Sequence, residues 1–255
     1  MEGNSGPVIE SEPTGRLDGS TPGERATVLR LLDISQRVVD GRQHRTVLDH
    51  VGVEVHAGEL VALMGPSGSG KTTLLRIAAG IDRPDAGMPV IDGEHLWVLS
   101  SSAIAELRRR TIGYVEQRWN LLDSLTIVEN VALPLELDRM STRDATRDAM
   151  AALEEVGIAE LARQFPSDLS GGEQQRAAIA RALVGGRHLL IADEPTGALD
   201  ALTAETVMRL IRRRCDHDGA AVLLATHDPA VAGWADRVLY LRDGVLSERS
   251  AGVRP

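Results

Sequence analysis

Three short stretches of this chain carry residue types suited to nucleotide chemistry. The first, GPSGSGKTT at residues 65–73, holds the only lysine; every other strong positive charge is an arginine. In the spacing G-x-x-x-x-G-K-[ST], here Gly65, Gly70, Lys71 and Thr72, small residues let successive backbone N–H groups turn towards phosphate oxygens, and the following helix adds its positive end. A compact ammonium reaches between two phosphates where the planar fork of arginine does not fit, and the Thr72 hydroxyl can ligate Mg2+. The whole loop, Gly65, Pro66, Ser67, Gly68, Ser69, Gly70, Lys71, Thr72 and Thr73, is therefore the candidate phosphate site. The second stretch, LLIADEPTGALD at 189–200, places two adjacent carboxylates at the end of an apolar run. Asp193 would hold Mg2+ through water, and Glu194 would polarise an attacking water as general base. In the third, LSGGEQQR at 169–176, Ser170 and Glu173 have capping-box spacing, which alone means a well-capped helix. Two glycines inside the box, Gly171 and Gly172, expose further N–H groups and make a second anion site. One γ-phosphate does not need two such sites from one subunit, so the second is expected to face a nucleotide held by a partner.

These groups need elements to position them. LVALM at 60–64 has the length and continuous apolarity of a strand covered on both faces, and TTLLRIAAG at 72–80 has helical spacing with a terminal glycine. Strand, loop and helix thus follow in the order a phosphate-binding unit requires. HLLIAD (188–193) and AAVLLATH (220–227) read as two more buried strands separated by the helical pattern AETVMRLIRRR (204–214), and VLRLLDI (28–34) and VLDHVGVEV (47–55) read as further strands. STRDATRDAMAALEEVGI, 141–158, reads as an amphipathic helix in a mainly helical middle section. Strands alternating with helices predict an α/β fold with a parallel sheet.

The remaining composition narrows the partners. A formal net charge of −9 argues against a polyanion-binding surface, so no nucleic acid is expected. One cysteine, Cys215, makes no internal disulfide, which fits a reducing compartment. No apolar run approaches the roughly 18 residues of a membrane span; if the protein works at a membrane, another chain is expected to supply the span. Residues 1–27, rich in Gly, Pro, Ser, Thr and Glu, read as a disordered tail.

In this order, the three motifs resemble the nucleotide-binding subunit of ATP-binding cassette transporters, with LSGGEQQR as the most specific mark. The resemblance implies a P-loop NTPase core with a parallel sheet, an N-terminal antiparallel β subdomain and an inserted helical subdomain at about 118–180, together spanning 28–245, with a C-terminal tail at 246–255. It implies an ATPase with ATP and Mg2+ as cofactors, working as a head-to-tail homodimer that sandwiches ATP. Ser170, Gly171 and Gly172 would complete the partner's site. Gln117 would ligate Mg2+ and take part in catalysis beside Lys71 and Glu194, Asp200 would belong to the ATP site, and His227 would be the catalytic switch. A separate transmembrane permease would hold this subunit peripherally at the cytoplasmic face of the membrane. NLLDSLTIVENVALPLEL (120–137) and ADEPTGALD (192–200) resemble the branch that includes macrolide exporters and lipoprotein-release or cell-division ATPases; in the segment after Gln117, Trp119, Leu121 and Leu122 are the candidates for an apolar coupling pocket, ordinary core being the alternative.

Two positions depart from that pattern. The family stacks an aromatic ring on adenine where this chain has Val38, so discrimination between ATP and GTP is expected to be weak, with His44 as a substitute platform. Glu116 stands where a bulky apolar residue is usual, either solvated at a strand end or paired with a partner's arginine. The competing function is a soluble cassette ATPase acting on nucleic acid or ribosomes. A GTPase reading fails because a guanine-reading N-K-x-D motif is impossible where Lys71 is the only lysine.

Overall fold

The apolar runs sort into two sheets in the computed structural model, which describes residues 25–40 and 43–249. In chain order the elements are β1 (Thr27–Asp40), β2 (Gln43–His56), β3 (Leu60–Met64), α1 (Lys71–Ala78), β4 (Ala86–Ile91), β5 (Glu94–His95), α2 (Ser101–Thr111), β6 (Ile112–Val115), α3 (Ile127–Leu137), α4 (Thr142–Glu155), α5 (Gly171–Leu183), β7 (Leu189–Asp193), α6 (Ala201–Asp218), β8 (Ala221–Ala225), α7 (Pro229–Ala232), β9 (Arg237–Arg242) and β10 (Val245–Arg249). One sheet has the order β2-β1-β4-β5 and is antiparallel throughout. The other has the order β10-β9-β3-β8-β7-β6; only its edge strand β10 runs antiparallel.

The parallel strands lack hydrophobic alternation because both faces are covered, and their period of two sorts side chains between two cores. Leu60, Ala62, Leu190, Ala192, Val222 and Leu224 pack with the helical section on one side. Val61, Leu63, Leu189, Ile191, Ala221 and Leu223 pack with α1 and the antiparallel sheet on the other. Each fully buried Leu, Val or Ile contributes about 1.5–3 kcal/mol, so the sheet that carries the site is held from both sides.

The carboxyl ends of β3, β6, β7 and β8 lie side by side, and the loops leaving them hold Gly65, Gln117, Glu194 and His227. Such an edge is where open α/β sheets bind ligands. Among the described residues, no helix is long and apolar enough to cross a membrane.

The structure corrects the expected C-terminal tail: residues 246–249 belong to β10, which pairs with β9 from Val245↔Arg242 to Arg249↔Val238. The turn between them has Asp243 at φ 52° and Gly244 at φ 82°, the pair of left-handed residues that tight hairpins favour and that Asp-Gly supplies. That dipeptide was the overlooked signal. Of the tail expected at 1–27, residues 1–24 lie outside the described residues and Thr27 already opens β1.

Candidate active site

Gly70 makes the phosphate loop possible. It caps α1 at φ 104° with no side-chain hydrogen bond, and a Cβ there would lie 2.7 Å from the Val47 carbonyl oxygen. Both the conformation and the close approach of β2 demand glycine. The Lys71 ammonium donates to the carbonyls of Gly65 (2.8 Å) and Pro66 (3.1 Å), which folds it back over the loop. The Thr72 hydroxyl donates to Asp193 Oδ2 at 2.6 Å, joining the start of α1 to the end of β7.

Glu194 follows directly and sits at φ 51°. For a residue with a Cβ this left-handed backbone stores strain of order 1–3 kcal/mol. Its N–H bond to the Ala225 carbonyl (2.9 Å) holds that conformation against β8. The two carboxylate oxygens are both engaged: Oε1 lies 2.8 Å from Nδ1 of His227, and Oε2 accepts from the Thr226 hydroxyl at 3.3 Å. Glu194 is largely shielded while His227 is exposed. The hydrogen bond to Glu194, and then its charge, raise the His227 imidazole above its usual value. Burial pushes the Asp193 carboxyl up; the Thr72 bond opposes this, the Glu194 charge adds to it and the Lys71 charge opposes it.

These groups line one cavity of about 760 Å3. Of the sequence-predicted residues it gathers Val38, Ser67, Gly68, Gly70, Lys71, Thr72, Thr73, Gln117, Asp193, Glu194 and His227. Gly65 and Pro66 serve it from behind through the lysine, and Ser69 is buried beneath the loop. Thr72 and Asp193 are hard oxygen donors in contact, with Gln117 lining the same cavity. That donor set fits Mg2+, and a buried carboxyl held up by desolvation is the kind of group a divalent cation relieves.

Ser170, Gly171, Gly172 and Asp200 do not line the cavity. Ser170 caps α5 in a complete box with Glu173, and Asp200 caps α6 by accepting from the N–H groups of Leu202 and Thr203. Of the coupling-pocket candidates, Trp119 and Leu121 line one groove of about 430 Å3 with Arg118, Asn120 and Pro166, while Leu122 does not line it. The Trp119 indole faces the nucleotide cavity and donates from Nε1 to Gln175 Oε1 at 2.6 Å; its ring lies against Gly171, where a Cβ would come within 3.2 Å of it. Leu121 packs on the core and Leu122 is exposed. Glu116 is half-buried in a different groove of about 520 Å3, beside Ile81, Tyr114, Pro134, Leu137 and Arg181.

Sequence reasoning missed four residues that shape the site. Gln175 is buried and bridges Trp119 to the carbonyl of Pro195, next to Glu194. Arg181 donates to the carbonyls of Trp119 and Asn120 and so ties the loop after β6 to α5. Asn130, fully buried in α3, accepts from the Leu122 N–H and donates towards the carbonyls of Leu122, Leu125 and Thr126. Its signal was a polar residue inside the apolar stripe of Ile127, Val131 and Leu135. Arg45 lines the cavity opposite Val38.

Residues 48–197 match the family model described as ABC transporter. The chain belongs to the ATP-binding cassette transporter family. It is 41% identical over 222 residues to the lipoprotein-releasing system ATP-binding protein LolD of Syntrophotalea carbinolica, a match covering 87% of this chain and 98% of that protein. It is 40% identical over 219 residues to the macrolide export ATP-binding/permease protein MacB of Vibrio parahaemolyticus, covering 86% of this chain and 33% of the relative. The chain thus spans about a third of the MacB relative's length. The dimeric structure of a post-hydrolysis state of the ATP-binding cassette MJ0796, bound to ADP and Pi, superimposes with a TM-score of 0.84 at 36% identity, covering 88% of this chain and 99% of that one. The chain is an ATPase domain that takes ATP with Mg2+.

Proposed function

We propose that two copies of this cassette pair head to tail around two ATP molecules and, by closing and reopening, drive a separate membrane permease of the lipoprotein-release or macrolide-export type. The observation that carries this reading is the meeting of Lys71, the Thr72–Asp193 pair and the Glu194–His227 pair in one cavity. Loop amides and Lys71 bind the β- and γ-phosphates. Thr72, Asp193 and Gln117 would hold Mg2+, which supplies neutralisation of the phosphate charge. Glu194 takes a proton from the attacking water as its oxygen bonds to the γ-phosphorus and the bond to ADP breaks. His227 fixes the orientation of that carboxylate through Nδ1.

Head-to-tail pairing is supported by the position of Ser170, Gly171 and Gly172 outside their own chain's cavity, where an approaching copy would present its nucleotide to them. The 520 Å3 groove combines an apolar wall of Ile81, Tyr114, Pro134 and Leu137 with Glu116 and four arginines, Arg108, Arg109, Arg181 and Arg187, and offers a seat for a permease helix. The permease would hold the cassette at the cytoplasmic face of the membrane as a peripheral subunit.

The test is the full chain with Glu194→Gln. Hydrolysis should fall about 10²- to 10⁴-fold while ATP binding persists, and Mg-ATP should convert monomer to dimer in gel filtration. A mild-detergent pull-down of the trapped dimer should retain an integral membrane chain. Undiminished hydrolysis would remove Glu194 from its role, and retention of soluble partners alone would overturn the permease reading.

A further inference from the structure

The phosphate loop and the carboxylates fix the direction of a bound nucleotide. Glu194, Gln117 and His227 mark the γ-phosphate end of the cavity, so the ribose and base extend along the remaining wall, formed by Val38, Arg45 and Val47 with Thr73. Val47 is anchored there because β2 passes directly over Gly70. Two residues further out, roughly 7 Å along the strand, comes Arg45, and the antiparallel ladder pairs it with Val38. Cross-strand partners share one face of the sheet with Cβ atoms about 5 Å apart, and both line the cavity. Val38 is 37% exposed and offers an aliphatic patch but no ring. Arg45 is exposed. The side chain of His44, the platform expected from sequence, lies outside the described residues.

We infer that the Arg45 guanidinium, laid against the base opposite Val38, replaces the stacking ring and makes this a cassette with little preference among purine nucleotides. The inference rests on the ATPase reading above and names the base-contacting residue of the same site. A planar guanidinium stacks on aromatic faces, and every base offers such a face. Face-on contact therefore gives affinity without reading the exocyclic groups that separate adenine from guanine.

The experiment measures dissociation constants of ATP, GTP and inorganic tripolyphosphate, each with Mg2+, on the full Glu194→Gln chain with and without Arg45→Ala. Without the second change, ATP and GTP should bind within about fivefold of each other. Arg45→Ala should weaken both by about 2- to 30-fold, the range of a cation–π contact, and leave tripolyphosphate unchanged, which also shows that the loop remains folded. Adding Val38→Tyr to the Arg45→Ala chain should recover the loss by restoring a ring. Three results would overturn the inference: unchanged nucleotide affinity in Arg45→Ala, an equal loss for tripolyphosphate, which would mark Arg45 as a phosphate contact, or a strong ATP preference that survives Arg45→Ala. If the Arg45-containing chain bound neither nucleotide nor tripolyphosphate, the ATPase reading itself would fall.

Discussion

The amino ends of α1 and α5 are both glycine-rich and both follow a loop, yet they are finished differently. At α1 the cap is Gly70, which brings no side chain of its own, and the ammonium and hydroxyl next to it engage a loop and a carboxylate of the same chain. At α5 the end is closed locally: the Ser170 N–H and hydroxyl both donate to Glu173 Oε2 (2.7 Å each), and the Glu173 N–H returns a bond to the Ser170 hydroxyl. One end opens into the cavity lined by Asp193, Glu194 and His227, while the other is self-capped outside it. Identical backbone physics thus serves as a primary binding site in one place and, on the dimer reading, as a lid for a neighbour in the other.

Mixing two inactive chains tests that division most sharply. Lys71→Ala should abolish the α1 site and Ser170→Arg the α5 site, each leaving hydrolysis near background. In a mixed head-to-tail dimer one interface carries both defects and the other carries neither, so ATPase activity should return on mixing. Persistent inactivity in mixtures shown to dimerise would break the comparison.

A smaller effect is expected at Asn130, which holds the segment between β6 and α3 through the Leu122 amide. Asn130→Ala leaves buried backbone groups unpaired and should cost about 1–3 kcal/mol in urea unfolding. A loss well below that range would mean the segment is held mainly by Arg181.

Smallest of all is a pH effect confined to α5. The hydrogen bonds from the Ser170 side chain, and next its backbone, hold the Glu173 carboxyl below its usual value of 4.5. A depressed carboxyl contributes stability that is complete above its unfolded pKa and is lost as pH falls through the folded one. The box should therefore contribute equally from pH 6 to 8 and weaken only below about pH 4.5. An NMR titration of Glu173 should show its pKa rising in Ser170→Ala; an unmoved value would mean the box does not form in solution.

What the sequence disclosed follows the same physics. β3 spans the predicted 60–64 because a five-residue apolar run between a glycine turn and a glycine loop leaves little freedom for its ends. The phosphate loop and Asp193–Glu194 were legible because their chemistry depends on local spacing. β4 was not, since AGMPVI contains the glycine and proline that strands usually avoid, and its partner β1 lies far away in sequence. The bridge from Trp119 through Gln175 to Pro195 was equally hidden, because it joins three segments that only the fold brings together. Asp200 shows the converse: its position in a motif suggested nucleotide contact, and within one chain it is a helix cap.

Trp119 also gives the molecule a built-in optical reporter. The chain has three tryptophans: Trp97 lies under the Arg83 guanidinium, Trp234 packs on the core, and among them only Trp119 lines the nucleotide cavity. With Trp97 and Trp234 replaced by phenylalanine, the emission left comes from an indole that lies against Gly171 at the start of α5 and lines the cavity. Loading and closure can then be timed in stopped flow without attaching a dye.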